Sequence, residues 1–268
     1  MELVNILHFA LTGIAAGIIA GTLGVGGGVI IVPSLLYLFA RQGMDPALAI
    51  KLAVATSLST IIVTSISAIL AQMKRGAILW QVVRRWTPYI LLGAFLSGTV
   101  ASLLPAFALQ AFIGCFLTYA GINMLRRWTP NPRRQLPGGV GTAGAGTFVG
   151  LVSGMAGIAG GNVIIPLLVA SNVPMQNAVA TSITLALPIA TAGTIGFVYA
   201  GWHSLGLPAW SLGYVYLPAL LGIATFTFLS VPFGVALSHR LPAPRLKRIF
   251  GLLVLLVAAR ILWKAFFP

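Results

Sequence analysis

The stretch "GTLGVGGGVIIVPSLL", from Gly21 to Leu36, has five glycines among its first eight residues and lies inside a long apolar segment. Glycine is about 1 kcal/mol less favourable than alanine inside a helix. About 36 residues of apolar sequence surround the glycines, and one continuous helix of that length would measure ~54 Å, against ~30 Å for a bilayer core. We therefore predict a helical hairpin: one helix enters, breaks at the glycines, and a short helix returns.

The composition predicts a membrane protein. Of the 268 residues, 59% are hydrophobic and 7% are charged, whereas soluble domains are about 25% charged. Apolar runs long enough to span a bilayer recur along the chain, so the predicted class is an all-α polytopic membrane protein with eight hydrophobic segments and about 8–10 helices. The net charge of +14 reflects Lys and Arg beside the spans. We therefore expect no nucleic-acid partner.

The opening stretch occurs twice. Residues Gly17–Pro33, "GIIAGTLGVGGGVIIVP", align without a gap to Gly150–Pro166, "GLVSGMAGIAGGNVIIP". The sequence "AVATS" also occurs twice, at Ala53–Ser57 and Ala178–Ser182, and "LPAFALQAFIG" near the end of one half matches "LPAPRLKRIFG" in the other. Three anchors in the same order indicate an internal duplication.

The duplication divides the chain into two membrane repeats, 1–130 and 138–268. A basic linker, 131–137, joins them and is expected in the cytoplasm. Each repeat is predicted to contain the broken hairpin, a long helix with a Thr/Ser cluster (about 46–72 and 174–200), and two plainer spans. The plainer spans are predicted at about 86–103, 107–126, 212–238 and 244–265.

Loop charges predict that the two repeats are inverted. The loop after the first Thr/Ser helix carries Lys74, Arg75, Arg84 and Arg85, whereas the equivalent loop in the second repeat, "GWHSLGLPAWSLG", has no Lys or Arg. The loop between the last two spans has no Lys or Arg in the first repeat, whereas its counterpart in the second repeat is basic. Equivalent loops of opposite charge are expected on opposite sides of the membrane, as in transporters built from inverted repeats. This arrangement places the basic loop 126–134 in the cytoplasm and both termini outside.

The two glycine breaks are the first candidate binding site. A helix that restarts inside a membrane presents unpaired N–H groups and a positive dipole end, and both favour an anion. Glycines spaced four apart, at Gly13, Gly17, Gly21, Gly150 and Gly154, instead fit close helix contact. The consecutive glycines Gly26–Gly28 do not fit such a stripe, because neighbouring positions point in different directions.

The Thr/Ser clusters are the second candidate, since hydroxyls donate to an anion without adding charge; alternatively they bond back to their own helix. Asn162 adds a side-chain donor in the second copy, whereas the equivalent residue in the first copy, Val29, has none.

Lys51 is a further candidate, which would serve as a counter-ion to the substrate or extend to the membrane surface. The predicted substrate-binding residues are Gly24, Gly26, Gly27, Gly28, Lys51, Thr56, Ser57, Gly157, Gly160, Gly161, Asn162, Thr181 and Ser182.

The sequence contains few groups for catalysis. Its only acids are Glu2 and Asp45, and neither lies at the centre of a span. Metal-ligand clusters, paired carboxylates and a Ser/His/Asp set are absent, so we expect neither an enzyme nor a bound metal or cofactor. An intramembrane carboxylate for proton or sodium coupling is missing as well.

The doubled "G-x-x-G-x-G-G-G/N-x-[IV]-x-x-P" segment, each copy followed by "AVATS", resembles the sulfite exporter TauE/SafE family over essentially the whole chain. In the second copy Ala159 stands at the position of Gly26. The resemblance implies a multi-pass transporter of sulfite or organosulfonates in the bacterial cytoplasmic (inner) membrane. Its partners would be a small anion and the bilayer, and a coupling cation and a homodimer stay open. A channel-like anion pore, a carrier of a non-sulfur anion, and a membrane enzyme or assembly subunit are the alternatives.

Overall fold

The computed structural model describes residues 3–23, 26–73, 76–125, 136, 138–240 and 243–266. These residues form ten helices and one small β-hairpin. The helices are α1 (Leu3–Leu23), α2 (Gly28–Arg41), α3 (Pro46–Met73), α4 (Trp80–Leu103), α5 (Ala106–Leu125), α6 (Val140–Ala156), α7 (Gly161–Ala170), α8 (Met175–Gly201), α9 (Leu217–Arg240) and α10 (Ala243–Phe266); the strands are β1 (Ser211–Leu212) and β2 (Val215–Tyr216).

The helical content confirms the predicted fold class. Within the described ranges, seven helices are long and apolar enough to cross a membrane: α1, α3, α4, α5, α8, α9 and α10. The remaining three, α2, α6 and α7, are shorter apolar helices of 14, 17 and 10 residues. All three belong to the two segments that contain the glycine breaks.

The first glycine-broken segment folds back on itself, as predicted. A Cβ placed on Gly27 would lie 2.9 Å from the carbonyl oxygen of Ala16, two turns back in α1. Further along α2, the Ser34 hydroxyl lies 2.6 Å from the Thr12 hydroxyl and 2.9 Å from Nε2 of His8. Later residues of α2 therefore contact earlier residues of α1, so the two helices run antiparallel.

Equivalent helices of the two repeats also run antiparallel. Leu58 of α3 contacts Gly193 of α8, and further along α3 the side chain of Ala68 packs in one cluster with Ile183. In the α5–α10 pair, Gly114 contacts Leu262 and Gly121 contacts Leu255. Antiparallel contact between equivalent elements is the relation that an inverted repeat requires, and it agrees with the loop charges.

The fourth helix of each repeat packs against the first helix of the other. Gly13 and Gly17 of α1 meet backbone and side-chain atoms of α9, including the Thr227 backbone, while Gly150 and Gly154 of α6 meet α4 at Ile90 and Ser97. A side chain at any of these glycines would overlap the neighbouring helix. The four therefore serve the close helix contact that their spacing predicts.

Some boundaries differ from the sequence expectation. Helix α4 begins at Trp80 rather than near residue 86, since the polar residues Gln81, Arg84 and Arg85 continue the helix. Helix α9 begins at Leu217 rather than near 212, because the β-hairpin occupies residues 211–216. Gly24, the basic loop 126–134 and all of the linker 131–137 except Leu136 lie outside the described residues.

Candidate functional site

The two glycine breaks touch each other. A Cβ on Gly26 would overlap the Cβ of Ala159, and a Cβ on Gly28 would overlap the carbonyl oxygen of Gly157 and lie 3.1 Å from Cα of Ile158. Only glycine permits this approach of backbone to backbone at Gly28. The structure thus brings together two segments that are more than a hundred residues apart in the sequence.

The junction lies beside the crossing of α3 and α8. Ile61, near the middle of α3, packs in one buried cluster with Ala159 and with Ala186 and Ala190 of α8. Its methyl group also lies 2.9 Å from the Cβ position of Gly28. Both long helices therefore contact the breaks at about half their length.

Two helices begin at the junction without side-chain caps. Gly27 precedes α2 with φ of 73°, and Gly160 precedes α7 with φ of 75°; neither cap residue makes a side-chain hydrogen bond. The N–H groups of Ile30 and Ile31 turn back to the Gly27 carbonyl, as those of Val163 and Ile164 do to Gly160. The first two N–H groups of each helix have no intrahelical acceptor and carry the positive end of its dipole.

Buried donors without a partner occur on helices of the second repeat, and two of them lie at the second break. Among the described residues, five buried side-chain groups lack a hydrogen bond, and three of them belong to α6, α7 and α8: Ser153 Oγ, Asn162 Nδ2 and Ser182 Oγ. Asn162 is 7% exposed, Ser182 1% and Ser153 0%. Leaving such a group unsatisfied costs about 1–3 kcal/mol, so each one indicates a place where water or a ligand can bind.

Ser153 was not among the predicted site residues. Its hydroxyl oxygen lies 3.0 Å from the position that a Cβ on Gly160 would occupy, at the start of α7. The alignment of the two copies contains the signal for it: Ser153 stands where the first copy has Ala20, just as Asn162 stands where it has Val29. Both differences add a donor to the second break only.

The two "ATS" threonines make structural bonds between the repeats. The Thr56 hydroxyl accepts the backbone N–H of Tyr216 at 3.0 Å, just before α9. The Thr181 hydroxyl accepts the N–H of Leu79 at 3.1 Å, just before α4. Ser57 of the first motif donates to the Gly157 carbonyl at 2.8 Å and so ties α3 to the second break. A substrate contact for these hydroxyls stays a prediction.

The side chain of Lys51, which belongs to α3, reaches the C-terminal end of α4. Its ammonium donates to the Ser102 carbonyl at 3.1 Å, in the last turn of α4, and stands 5.6 Å from the centre of the Tyr214 ring. A cation at a helix C-terminus is stabilised by the helix dipole. A lysine that binds the end of a neighbouring helix fits the alternative in which Lys51 extends to the membrane surface. The role of Lys51 as a counter-ion to the substrate stays a prediction.

The space at the junction is small. A cavity of about 10 Å³ is lined mainly by apolar atoms of α1, α3 and α8 and by the backbone of Gly26. That volume holds about one water molecule. Its lining residues are Ala20, Gly26, Thr64, Ser65, Ala68, Ile183 and Ala186. The structure is therefore a closed conformation at this point.

The donors at the junction are neutral. In the described part of the chain there is no group of three or more His, Cys, Asp or Glu residues that could hold a metal ion. Asp45 lies in the exposed loop before α3, where its carboxylate accepts the N–H of Leu48 at 3.0 Å. The arrangement around the breaks thus offers backbone N–H groups, hydroxyls and one amide, which together suit a small oxyanion.

Relatives of the chain are membrane transporters. A "probable membrane transporter protein" of Haemophilus influenzae is 33% identical over 262 residues, which cover 97% of this chain and 98% of the relative. Proteins with the same description from Methanocaldococcus jannaschii and Xylella fastidiosa are 26% and 28% identical, covering 88% and 93% of this chain and 88% and 92% of the relatives. No solved structure matches the chain.

The family described as "Sulfite exporter TauE/SafE" matches residues 9–261. This range includes both glycine breaks and both "ATS" motifs. The resemblance seen in the doubled motif is therefore confirmed, and so is the expectation of a membrane transporter rather than an enzyme. The chain belongs to the sulfite exporter TauE/SafE family of multi-pass membrane transporters.

Proposed function

We propose that this transporter carries a small oxyanion, sulfite or an organosulfonate, across the bacterial cytoplasmic membrane by alternating access. The observation that carries the proposal is a pair of buried donors without partners at the start of α7: the Asn162 amide and the Ser153 hydroxyl beside Gly160. An oxyanion bound there would accept hydrogen bonds from this amide and from the first N–H groups of α7. Hydrogen bonds to a charged acceptor contribute about 1.5–3 kcal/mol each.

The closed junction supports a carrier. Space for about one water molecule beside Gly26 does not admit a sulfonate, so the breaks have to separate before substrate enters from either side. Antiparallel contact of α3 with α8 relates the backbones on the two sides of the junction by pseudo-symmetry. Rocking of one repeat against the other would open one side while the other stays closed.

Thermal unfolding of the purified protein tests anion binding. Sulfite, sulfoacetate, thiosulfate, sulfate and a carboxylate such as acetate are compared at millimolar concentrations and constant ionic strength. A ligand that binds only the folded state raises stability by about 2.7 kcal/mol at a hundred times its Kd. We expect a shift with sulfite or sulfoacetate, and no shift with any anion would contradict the proposal.

Counterflow in proteoliposomes distinguishes the carrier from the channel-like pore. Vesicles loaded with unlabelled substrate should transiently accumulate labelled substrate from outside, because a carrier exchanges one bound anion for another. A pore equilibrates the label without accumulation and passes single-channel currents in a planar bilayer. Single-channel currents without counterflow would replace the carrier with the pore.

A further inference from the structure

A buried serine hydroxyl without a partner lies beside the second break. Ser153, on α6, is fully buried and its hydroxyl has no partner. The hydroxyl oxygen lies 3.0 Å from the Cβ position of Gly160, the residue that caps α7. It therefore lies beside the residue that precedes α7. The first two N–H groups of that helix, those of Gly161 and Asn162, have no intrahelical acceptor.

Asn162 adds a second side-chain donor within the same turn. It is the second residue of α7, it is 7% exposed, and its Nδ2 has no hydrogen-bond partner. Two backbone and two side-chain donors thus belong to the first turn of α7 or lie beside the residue that precedes it. The buried residues that the structure describes include no charged side chain. An anion supplies the acceptors that this set lacks.

The first break has no equivalent side-chain donors. Ala20 occupies the position of Ser153, and Val29 occupies that of Asn162; both are buried. Ala20 also lines the small cavity beside Gly26. The pseudo-symmetric partner of the donor-rich helix start is therefore apolar.

We propose that Ser153 and Asn162 form, with the first N–H groups of α7, a one-sided oxyanion subsite that holds a single anion per molecule. The subsite rests on the proposed function and specifies where that function binds its substrate. Ser153 is a binding residue in it, and the first break closes over the anion without adding a side-chain donor. The two repeats thus contribute unequally to one site.

Binding measurements on variants that copy the first repeat test this subsite. Ser153→Ala and Asn162→Val introduce the residues of the equivalent positions, Ala20 and Val29. Isothermal titration with sulfite and with methanesulfonate should give one site per protein, and each variant should raise Kd by at least about tenfold, the smallest loss expected for one hydrogen bond to a charge. Ser153→Thr keeps the hydroxyl and should stay within about threefold of the wild type.

Stability of the ligand-free variants separates binding from a structural role. Replacing an unpartnered buried hydroxyl or amide by an apolar group of similar size is neutral or stabilising. Both variants should therefore melt at or above the wild-type temperature without anion and show a smaller shift with it. A lower melting temperature combined with an unchanged Kd would make the two residues structural and overturn the subsite.

Ala20→Ser is the matched control in the first repeat, and it leaves Ser153 and Asn162 intact. We expect its Kd to stay within about twofold of the wild type, because the anion lies at α7. A tenfold gain in affinity, or a second bound anion in the wild type, would show a symmetric site and overturn the proposal. Failure of the wild type to bind either anion would remove the proposed function as well, whereas binding that Ser153→Ala and Asn162→Val leave unchanged would remove only the subsite.

Discussion

At the scale of single residues, the contact between Gly26 and Ala159 holds the two breaks together. Gly26 has φ of 80°, in the left-handed region, and faces the Cβ of Ala159 at a distance that excludes any side chain. Left-handed backbone alone costs a non-glycine residue about 1–2 kcal/mol, and forcing extra atoms into a filled interior costs a further 1–3 kcal/mol. Substitution at this position therefore combines two independent penalties.

We predict that Gly26→Ala lowers stability by about 2–5 kcal/mol and abolishes transport. Gly43→Ala is the control, because Gly43 also has a positive φ, 69°, but open space around it; only the backbone penalty applies there. The double variant Gly26→Ala with Ala159→Gly removes the overlapping methyl and should recover most of the difference. Thermal unfolding and vesicle uptake measure both effects, and equal losses at Gly26 and Gly43 would contradict the contact.

At the scale of elements, the threonines of the two "ATS" motifs bond the long helices to the segments that precede α4 and α9. Thr56 and Thr181 are fully buried, and each accepts a backbone N–H from the other repeat. The two bonds are related by the pseudo-symmetry of the fold. The two copies of the motif thus make equivalent structural bonds.

We predict that Thr56→Val and Thr181→Val each destabilise the protein by about 1–3 kcal/mol, since each leaves a backbone N–H without its acceptor. Thr→Ser at the same positions keeps the oxygen and should lose less. Thr225→Val serves as the control, because Thr225 is exposed and bonds only to Leu221 of its own helix. Unchanged unfolding temperatures with a weaker substrate Kd would instead assign these hydroxyls to binding.

At the scale of the whole molecule, the antiparallel contact of equivalent helices and the opposed loop charges agree. Helices α3 and α8 cross in opposite directions, as α5 and α10 do. Basic residues follow α3 and are absent from the loop after α8. The positive-inside rule therefore predicts that the loop around Gly76 lies in the cytoplasm and the loop around Gly206 outside.

Cysteine labelling tests this topology with a matched pair. Gly76 and Gly206 both have positive φ and open surroundings, so cysteine at either position carries a similar backbone penalty. In a Cys115→Ala background, an impermeant maleimide added to intact cells should label Gly206→Cys and not Gly76→Cys, and lysis should expose both. A reporter fused after Pro268 should likewise be active outside; labelling of Gly76→Cys in intact cells would invert the assignment.

Much of the fold follows from local properties of the sequence. Apolar runs longer than a bilayer require helices because lipid offers no partner for backbone groups, and the two copies of Gly17–Pro33 define equivalent breaks. The left-handed caps at Gly27 and Gly160 follow from glycine's access to positive φ. Loop charge alone predicts the inverted order. These features were therefore accessible from spacing and composition.

The sequence by itself determined the helical membrane class, the duplication, the broken hairpins and the donor that the second copy adds at Asn162. Only the tertiary structure decided that the two breaks touch, that Lys51 binds the end of α4, and that the Ser153 hydroxyl lies beside Gly160 at the start of α7. The physical reason is the distance along the chain over which each interaction acts. Helix breaks and spans depend on neighbouring residues, whereas the partner of a buried hydroxyl or ammonium depends on which helices meet after folding.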